Sequence, residues 1–535
     1  MGDRACRSRP VSLLRPERTT VSAITSPSEF IDHTTSMALE EKAKLQKHFT
    51  RFDIYFFLIC TIVGVDTLGV VAAEGAQGFT WLLFLAVFFF VPYALLTAEL
   101  GSAFPEEGGA YVWTRLAWGR LVAAVNAIFY WFSNPIWIGA TLALLTIATV
   151  NEFFFSIGDN SWLFYAVGLA YIWFSVYSAI LSFGIGKWIP TLGAWARIFV
   201  LGLFVISTII YAFKNGLSFP AGGEFKPTYA LFIALVPVLF FNYVGFELPS
   251  AAGDEMTSPQ KDVPWTILRA AATAILLYGL PILAVIAVLP KDEITGVDGF
   301  MTAVAAVFSV YGGAASVMTK IAAFGFILAL VSSACTWLMG SDRSQAVACY
   351  DGAGPRILGR FSAKLGTPVN VNFLSGIVST IVFVAAAQIA GGNASATFDV
   401  MIGIVLTFTT ISYIVIFPAL IKLRYSHAHV NRPYRIPGGM AGVWICGVLC
   451  TFWAVFASLV AIFPGFLDGK LLNDSGLPED VSRAKYTTIA GVAIGIAFLA
   501  GFIFYWLGGR TREHMVDVPL AGNEELAAGS GAATT

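Results

Sequence analysis

The chain has 535 residues, of which 57% are hydrophobic and only 12% are charged, and its 32 Lys and Arg residues nearly balance 33 Asp and Glu residues. A composition this apolar excludes an ordinary soluble enzyme. The balanced charge excludes a nucleic-acid-binding protein, because no basic surface remains to neutralise a phosphate backbone. We therefore expect a membrane protein that has no nucleic acid partner.

Apolar runs follow one another along most of the chain. A helix needs about 20 mostly apolar residues to cross the hydrocarbon core of a bilayer. By that criterion the sequence predicts twelve membrane-spanning helices, an all-α polytopic membrane protein. These predicted spans 1 to 12 cover residues 53–76, 79–103, 120–150, 161–182, 184–213, 229–254, 265–289, 312–345, 369–390, 398–422, 440–463 and 486–508.

The polar ends of the chain are expected to lie in the cytoplasm. Lys and Arg concentrate in the connections that follow even-numbered spans, which hold Arg115, Arg356 and Arg432 among others. Because positively charged connections stay on the cytoplasmic side, this pattern predicts a cell-membrane protein with both termini inside. Residues 1–36 are expected to be disordered, and the Gly- and Ala-rich tail after Arg512 is expected to be mobile.

Two spans carry polar interruptions near their middles. Span 1 contains Gly64, Val65, Asp66 and Thr67, and span 6 has Glu247 after a break at residues 240–246. An ionised carboxylate at this depth costs about 2.5 to 3.5 kcal/mol on insertion scales. Paired breaks in equivalent positions of two halves are typical of inverted-repeat transporters, whose open backbone groups hold a midplane substrate. The competing interpretation is that the glycines allow close packing and the acids are paired structurally.

The equivalent positions of the two breaks, in spans 1 and 6, also suggest how the chain is divided. We predict a cytoplasmic tail at 1–50, a first five-helix repeat at 51–213 and a second at 214–439. Helices 11 and 12 then occupy 440–508, and a second cytoplasmic tail occupies 509–535.

Three motifs occur in the order and topology of a known transporter group. They are AELGSAFPEEGGAY at 98–111, YVGFE at 243–247 with SPQKDVP at 258–264, and DGAGP at 351–355 with GTPVN at 366–370. With these motifs the chain, over residues 50–440, resembles the amino acid, polyamine and organocation transporter superfamily. The resemblance implies five-plus-five inverted repeats with two further helices, and transport of amino acids or amines by alternating access.

The resemblance also bears on the substrate. In many amino acid carriers of the superfamily the break in span 1 reads Gly-Ser-Gly, and its backbone amides hold the substrate carboxylate. The matching residues here are Gly64, Val65 and Asp66. An acid at that place would repel a carboxylate and attract an ammonium group, as in the similar polyamine carriers. An ordinary amino acid, or exchange of glutamate for its decarboxylated amine, stays open.

Each candidate residue has a structural alternative. Asp66 could cap open amides, Glu247 could hold the span 6 break by a hydrogen bond instead of carrying a proton, and Arg197 could be an ion pair instead of a surrogate for sodium. Aromatic faces near a cation contribute about 0.5 to 2 kcal/mol. The predicted substrate-binding residues are Gly64, Val65, Asp66, Thr67, Phe241, Asn242, Tyr243, Gly245 and Trp337, and the predicted coupling residues are Glu247 and Arg197.

The sequence also bears on cofactors, metals, substrate and coupling ion. No motif for a cofactor, a zinc cluster or a nucleophile is recognisable, so we expect no cofactor, no metal and no enzyme activity. We expect a small amino acid or amine as substrate, a proton and not sodium as the coupling ion, and the lipid bilayer as surroundings. A homo-oligomer stays open. A channel or a polytopic membrane enzyme is the rival from another class.

Overall fold

A computed structural model describes residues 27–158, 160–181, 188–216, 222–289, 299–389, 394–465 and 482–529. Nearly all regular structure within these ranges is helical, and the sheet they contain has two strands. This agrees with the predicted all-α class. The expectations for tail residues 1–26 and 530–535 lie outside the described ranges.

Ten helices of the described chain are long and apolar enough to cross a membrane. They correspond to predicted spans 2 to 5 and 7 to 12. Spans 1 and 6 are absent from this set because each is divided near its middle. The ten helices run Gly75–Ala103, Arg120–Phe153, Ser161–Leu181, Trp188–Asn215, Pro259–Val288, Gly299–Ala353, Val369–Gln388, Met401–Ser426, Gly439–Ile462 and Arg483–Leu507.

The two remaining spans are broken at the predicted places. Span 1 consists of Arg51–Ile62 and Leu68–Ala73, and span 6 consists of Tyr229–Asn242 followed by a 3-10 helix at Leu248–Glu255. Gly245 lies in the second break with a φ of 121°. A Cβ there would also approach Thr61 Cγ2 to 2.5 Å, so the two breaks lie against each other. Glycine is therefore required at residue 245, both for this backbone conformation and for the close contact with span 1.

The Gly299–Ala353 stretch is kinked at Gly312, and its first helix, Gly299–Phe308, was not predicted; span 8 proper is Ala315–Ala348. The first helix packs on spans 5 and 8. Ten residues are too few to cross a bilayer, so a search for membrane-length apolar runs passes over the segment.

The two ends of the chain pair as strands, in what we call the terminal clasp. Ile31–Thr35 runs antiparallel to Met515–Pro519, and Ile31 is opposite Pro519. The expectations of disorder up to residue 36 and of a mobile tail after Arg512 are therefore wrong for these strands. Each strand finds its partner at the opposite end of the chain, which local sequence patterns do not reveal.

Helix packing places the breaks in the middle of the bundle. Span 5 packs on span 8, span 2 packs on span 7, and span 3 packs on spans 10 and 12. The first half of span 1 contacts spans 5, 7 and 8. The interrupted segments are thus enclosed by other helices, where water is excluded and open backbone groups require partners.

Candidate substrate site

The break in span 1 is organised around Gly64. Its N–H lies 2.8 Å from Tyr278 Oη on span 7, and the same hydroxyl donates to Ile62 O at 2.7 Å. The Gly64 N–H also approaches Ile62 O at 3.0 Å. Thr67 Oγ1 donates to Gly64 O at 3.3 Å. The chain itself therefore satisfies the open backbone groups on both sides of Gly64.

Asp66 lies in this break and is 3% exposed. Its Oδ2 accepts a hydrogen bond from Trp137 Nε1 at 3.1 Å. Its Oδ1 has no hydrogen-bond partner on any other residue of the described chain. A buried carboxylate with one unpaired oxygen can accept a hydrogen bond from a positively charged donor.

Trp137, the hydrogen-bond partner of Asp66, packs against two further aromatic rings. The Trp137 ring lies edge-on to Phe241 at 5.6 Å and to Trp337 at 6.2 Å between centroids. Trp337 Nε1 donates to Thr61 O at the end of the first half of span 1. The structure thus brings together Asp66, Phe241 and Trp337, which the sequence predicted as separate candidates. Together with Trp137 we call them the Asp66 cluster.

Trp137 was missed by the sequence analysis. It is one of 14 tryptophans, so its residue type alone did not distinguish it. The signal in the sequence was Pro135, which lies within span 3 two residues before Trp137; the structure adds a π-helical turn at Ile138–Leu142. Such turns within α-helices often occur at functional sites.

The other predicted residues of span 6 have different surroundings. Asn242 is 2% exposed, and both its side-chain amide atoms lack partners within the described chain. Tyr243 donates from its hydroxyl to Leu82 O at 3.1 Å and stacks on Phe90, so it faces span 2. The N–H of Gly245 lies 3.0 Å from Tyr93 Oη. Val65, in the break of span 1, is buried as well.

Glu247 is held by tyrosines from three spans. Its Oε1 accepts hydrogen bonds from Tyr130 at 2.7 Å and Tyr413 at 2.6 Å, and its Oε2 accepts one from Tyr93. Glu247 is 1% exposed. Its partners are hydroxyls, so the carboxyl keeps its hydrogen bonds whether or not it carries a proton. The three tyrosines were missed because they are distributed over spans 2, 3 and 10.

Arg197 joins span 5 to spans 1 and 8. It is fully buried, and its guanidinium donates to Val63 O at 2.8 Å and to Cys60 O at 3.2 Å. On span 8 it donates to Ala329 O at 2.7 Å, and it also donates to Ser332 Oγ at 2.6 Å and to Ser333 Oγ. The guanidinium N–H groups therefore occupy carbonyl and hydroxyl oxygens of spans 1 and 8. These partners of Arg197 are neutral backbone carbonyls and serine hydroxyls.

The motif at residues 98–111 lies outside the Asp66 cluster and forms ion pairs. Glu107 accepts from Arg343 at 2.8 Å, and the same guanidinium lies 3.0 Å from Glu255. Glu99 pairs with Arg424 at 2.6 Å. The motif therefore ties span 2 and the end of span 6 to spans 8 and 10.

Comparisons with known proteins agree with this architecture. The model of the family described as amino acid permease matches residues 49–498. A structure of the manganese transporter of Eremococcus coleocola, in complex with an aromatic bis-isothiourea substituted compound, superposes with a TM-score of 0.52. The two sequences are 11% identical, and the superposition covers 86% of this chain and 94% of the other. The likeness shows a shared fold.

Curated relatives are similar over most of their length. A probable agmatine/putrescine antiporter of Lactococcus lactis is 26% identical over 84% of this chain and 92% of its own. A probable polyamine transporter of Arabidopsis thaliana is 25% identical over 78% and 82%. An uncharacterized transporter of Legionella pneumophila is 28% identical over 76% and 89%.

Proposed function

Because the chain belongs to the amino acid permease family, and is therefore a multi-pass membrane transporter, we propose that it carries organic amines of the diamine or agmatine type across the cell membrane by alternating access. The observation that carries the proposal is the unpaired, buried Oδ1 of Asp66, whose other oxygen accepts from Trp137, a ring packed against Phe241 and Trp337. Both termini would lie in the cytoplasm.

The chemistry of the Asp66 cluster favours a cation. A buried carboxylate attracts an ammonium or guanidinium group strongly, because water does not screen the pair. An aromatic face of this cluster turned to the cation would add about 0.5 to 2 kcal/mol of cation–π attraction. The names of the Lactococcus and Arabidopsis relatives support the same substrate class. The first of these names also supports exchange of one amine for another.

Two further residues would supply the coupling. Glu247 would bind and release a proton as spans 1, 2, 6 and 7 move against the others, because its tyrosine partners suit both protonation states. Arg197 would take the place of a sodium ion, since its N–H groups occupy carbonyl and hydroxyl oxygens of spans 1 and 8. Transport would then depend on protons or exchange and would be independent of sodium.

The test is counterflow of labelled putrescine into proteoliposomes loaded with unlabelled putrescine. We expect uptake that saturates with concentration; a channel would give uptake that does not saturate, and an enzyme would yield a product. Asp66→Asn should lower kcat/KM for putrescine by about tenfold or more, because a charge-assisted hydrogen bond is lost.

A matched control accompanies that variant. Glu152→Gln removes an acid from the exposed end of span 3 and should leave uptake unchanged. Equal transport by Asp66→Asn and the parent protein would contradict the role of Asp66 as the amine-binding group.

A further inference from the structure

We propose that Tyr278 is a specificity-determining residue that excludes substrates bearing an α-carboxylate, so that the carrier selects decarboxylated amines over the amino acids from which they derive. This inference rests on the proposed amine transport, and it assigns part of the substrate choice to a residue outside the Asp66 cluster.

The backbone amide of Gly64 in span 1 is already occupied by a hydroxyl of the chain. Where the first half of span 1 ends, the N–H of Gly64 and the carbonyl of Ile62 lie 3.0 Å apart. The hydroxyl of Tyr278 contacts both groups, at 2.8 Å from the nitrogen and 2.7 Å from the oxygen. A hydroxyl has one proton to donate and lone pairs to accept, so one group satisfies both. A substrate carboxylate would have to displace it to reach this amide.

Packing holds Tyr278 in place. The residue is fully buried on span 7, and its ring lies edge-on to Tyr243 at 5.9 Å. A Cβ on Gly64 would come within 3.4 Å of the Tyr278 hydroxyl, so glycine gives this hydroxyl close access to the backbone. The ring is thus fixed by packing, and its hydroxyl is not an adaptable surface group.

The Asp66 carboxylate lies next to the same glycine. A Cβ on Gly64 would lie 2.8 Å from Asp66 Oδ1, so the carboxylate of the chain itself covers this glycine. A second carboxylate at the same place would meet a like charge in a site shielded from water. Tyr278 therefore removes the donor that an amino acid needs, and Asp66 supplies a charge that repels it.

The experiment compares substrates that differ only by a carboxylate, agmatine with arginine and putrescine with ornithine. Inhibition constants are measured against labelled putrescine in proteoliposomes. Tyr278→Phe keeps the ring and deletes the hydroxyl. We expect the preference for agmatine over arginine to fall about tenfold, the effect of one hydrogen bond, mainly through stronger inhibition by arginine.

Tyr55→Phe is the matched control. Tyr55 Oη lies 2.8 Å from Thr273 Oγ1, so this variant deletes another hydroxyl between spans 1 and 7 without touching Gly64. Its preference should equal that of the parent protein. A folded Tyr278→Phe protein with an unchanged preference would overturn the proposal, whereas a parent protein that carries no amine would overturn the proposed function itself.

A second measurement is independent of the stability of Tyr278→Phe. If Tyr278 blocks the amide, Asp66→Asn alone should weaken agmatine inhibition and strengthen arginine inhibition by much less than Tyr278→Phe does, because the charge is removed but the Gly64 N–H is still occupied. Arginine inhibition that rises about tenfold in Asp66→Asn would mean that charge alone excludes the carboxylate. That result would remove Tyr278 from the explanation.

Discussion

Tyr93 and Tyr278 each cap the broken span of the opposite half of the molecule. Tyr93, on span 2, accepts hydrogen bonds from the N–H groups of Gly245 and Phe246, each at 3.0 Å. Tyr278, on span 7, accepts one from Gly64 at 2.8 Å. Spans 2 and 7 are equivalent members of the two repeats, so each half stabilises the break in the other. Each break thus receives a hydrogen-bond acceptor from the other half.

Trp137 orients the carboxylate of Asp66, and its removal should weaken substrate binding. Trp137→Phe keeps an aromatic ring but deletes the N–H that donates to Asp66 Oδ2 at 3.1 Å. We expect KM for putrescine to rise about three- to tenfold, because a hydrogen bond to a charged group is lost. Trp162→Phe, on an exposed residue, is the control. Equal KM values for both variants would show that the indole N–H has no role.

Glu247 should matter for coupling more than for binding. Glu247→Gln preserves the shape of the side chain among its three tyrosine partners but removes its ability to bind a proton. We expect uptake driven by a pH gradient to fall to the level without a gradient, while exchange of putrescine for putrescine continues. The measurement is labelled uptake with and without an imposed gradient. Retention of gradient-driven uptake would assign Glu247 a structural role instead.

Replacing sodium by choline should leave transport unchanged. The oxygens of Cys60, Val63 and Ala329 already accept hydrogen bonds from Arg197. Loss of uptake in choline would contradict the proposal that Arg197 takes the place of sodium.

Arg197→Ala should in turn lower the Tm in detergent. Each buried acceptor left without a donor costs about 1 to 3 kcal/mol. Lys214→Ala, at the exposed end of the same helix, serves as the control and should have little effect.

The terminal clasp should depend on pH through Asp32. Burial alone would raise the pKa of Asp32, but the charge and hydrogen bonds of Arg115 outweigh it and lower the pKa from 3.8 to about 2. A lowered folded-state pKa stabilises the fold above pH 3.8, and this contribution is lost as the pH falls towards 2. Asp32→Asn should therefore lower the Tm at pH 6 and have a smaller effect near pH 3. Glu40→Gln, on an exposed residue, should lower it at neither pH.

Glu106 beside the clasp should behave in the opposite way. Burial and the charge of Asp32 raise the pKa of Glu106 from 4.5 to about 7, although Lys42 and Arg115 oppose them. A raised folded-state pKa of an acid means that stability decreases as the pH rises from 4.5 to 7. Glu106→Gln should reduce the difference in Tm between pH 5 and pH 8. A difference as large as that of the parent protein would contradict this assignment.

The sequence predicted the family correctly, and the match over residues 49–498 confirms it. It also predicted both breaks, because a carboxylate is expensive inside a membrane helix and glycine lets the backbone leave helical geometry beside it. Of the candidate substrate residues, the Asp66 cluster contains Asp66, Phe241 and Trp337. Their roles, with those of Glu247 and Arg197, remain predictions for the experiments above.

What the sequence determined by itself was local: membrane-length apolar runs, the polar interruptions within two of them, and the motifs that follow. The tertiary structure alone decided which distant hydroxyls and rings complete those interruptions. Trp137, Tyr93 and Tyr278 are ordinary aromatic residues of apolar helices until packing brings them to an open amide or carboxylate. The terminal clasp has the same cause, since its strands are joined by hydrogen bonds between chain ends and not by any pattern within either end.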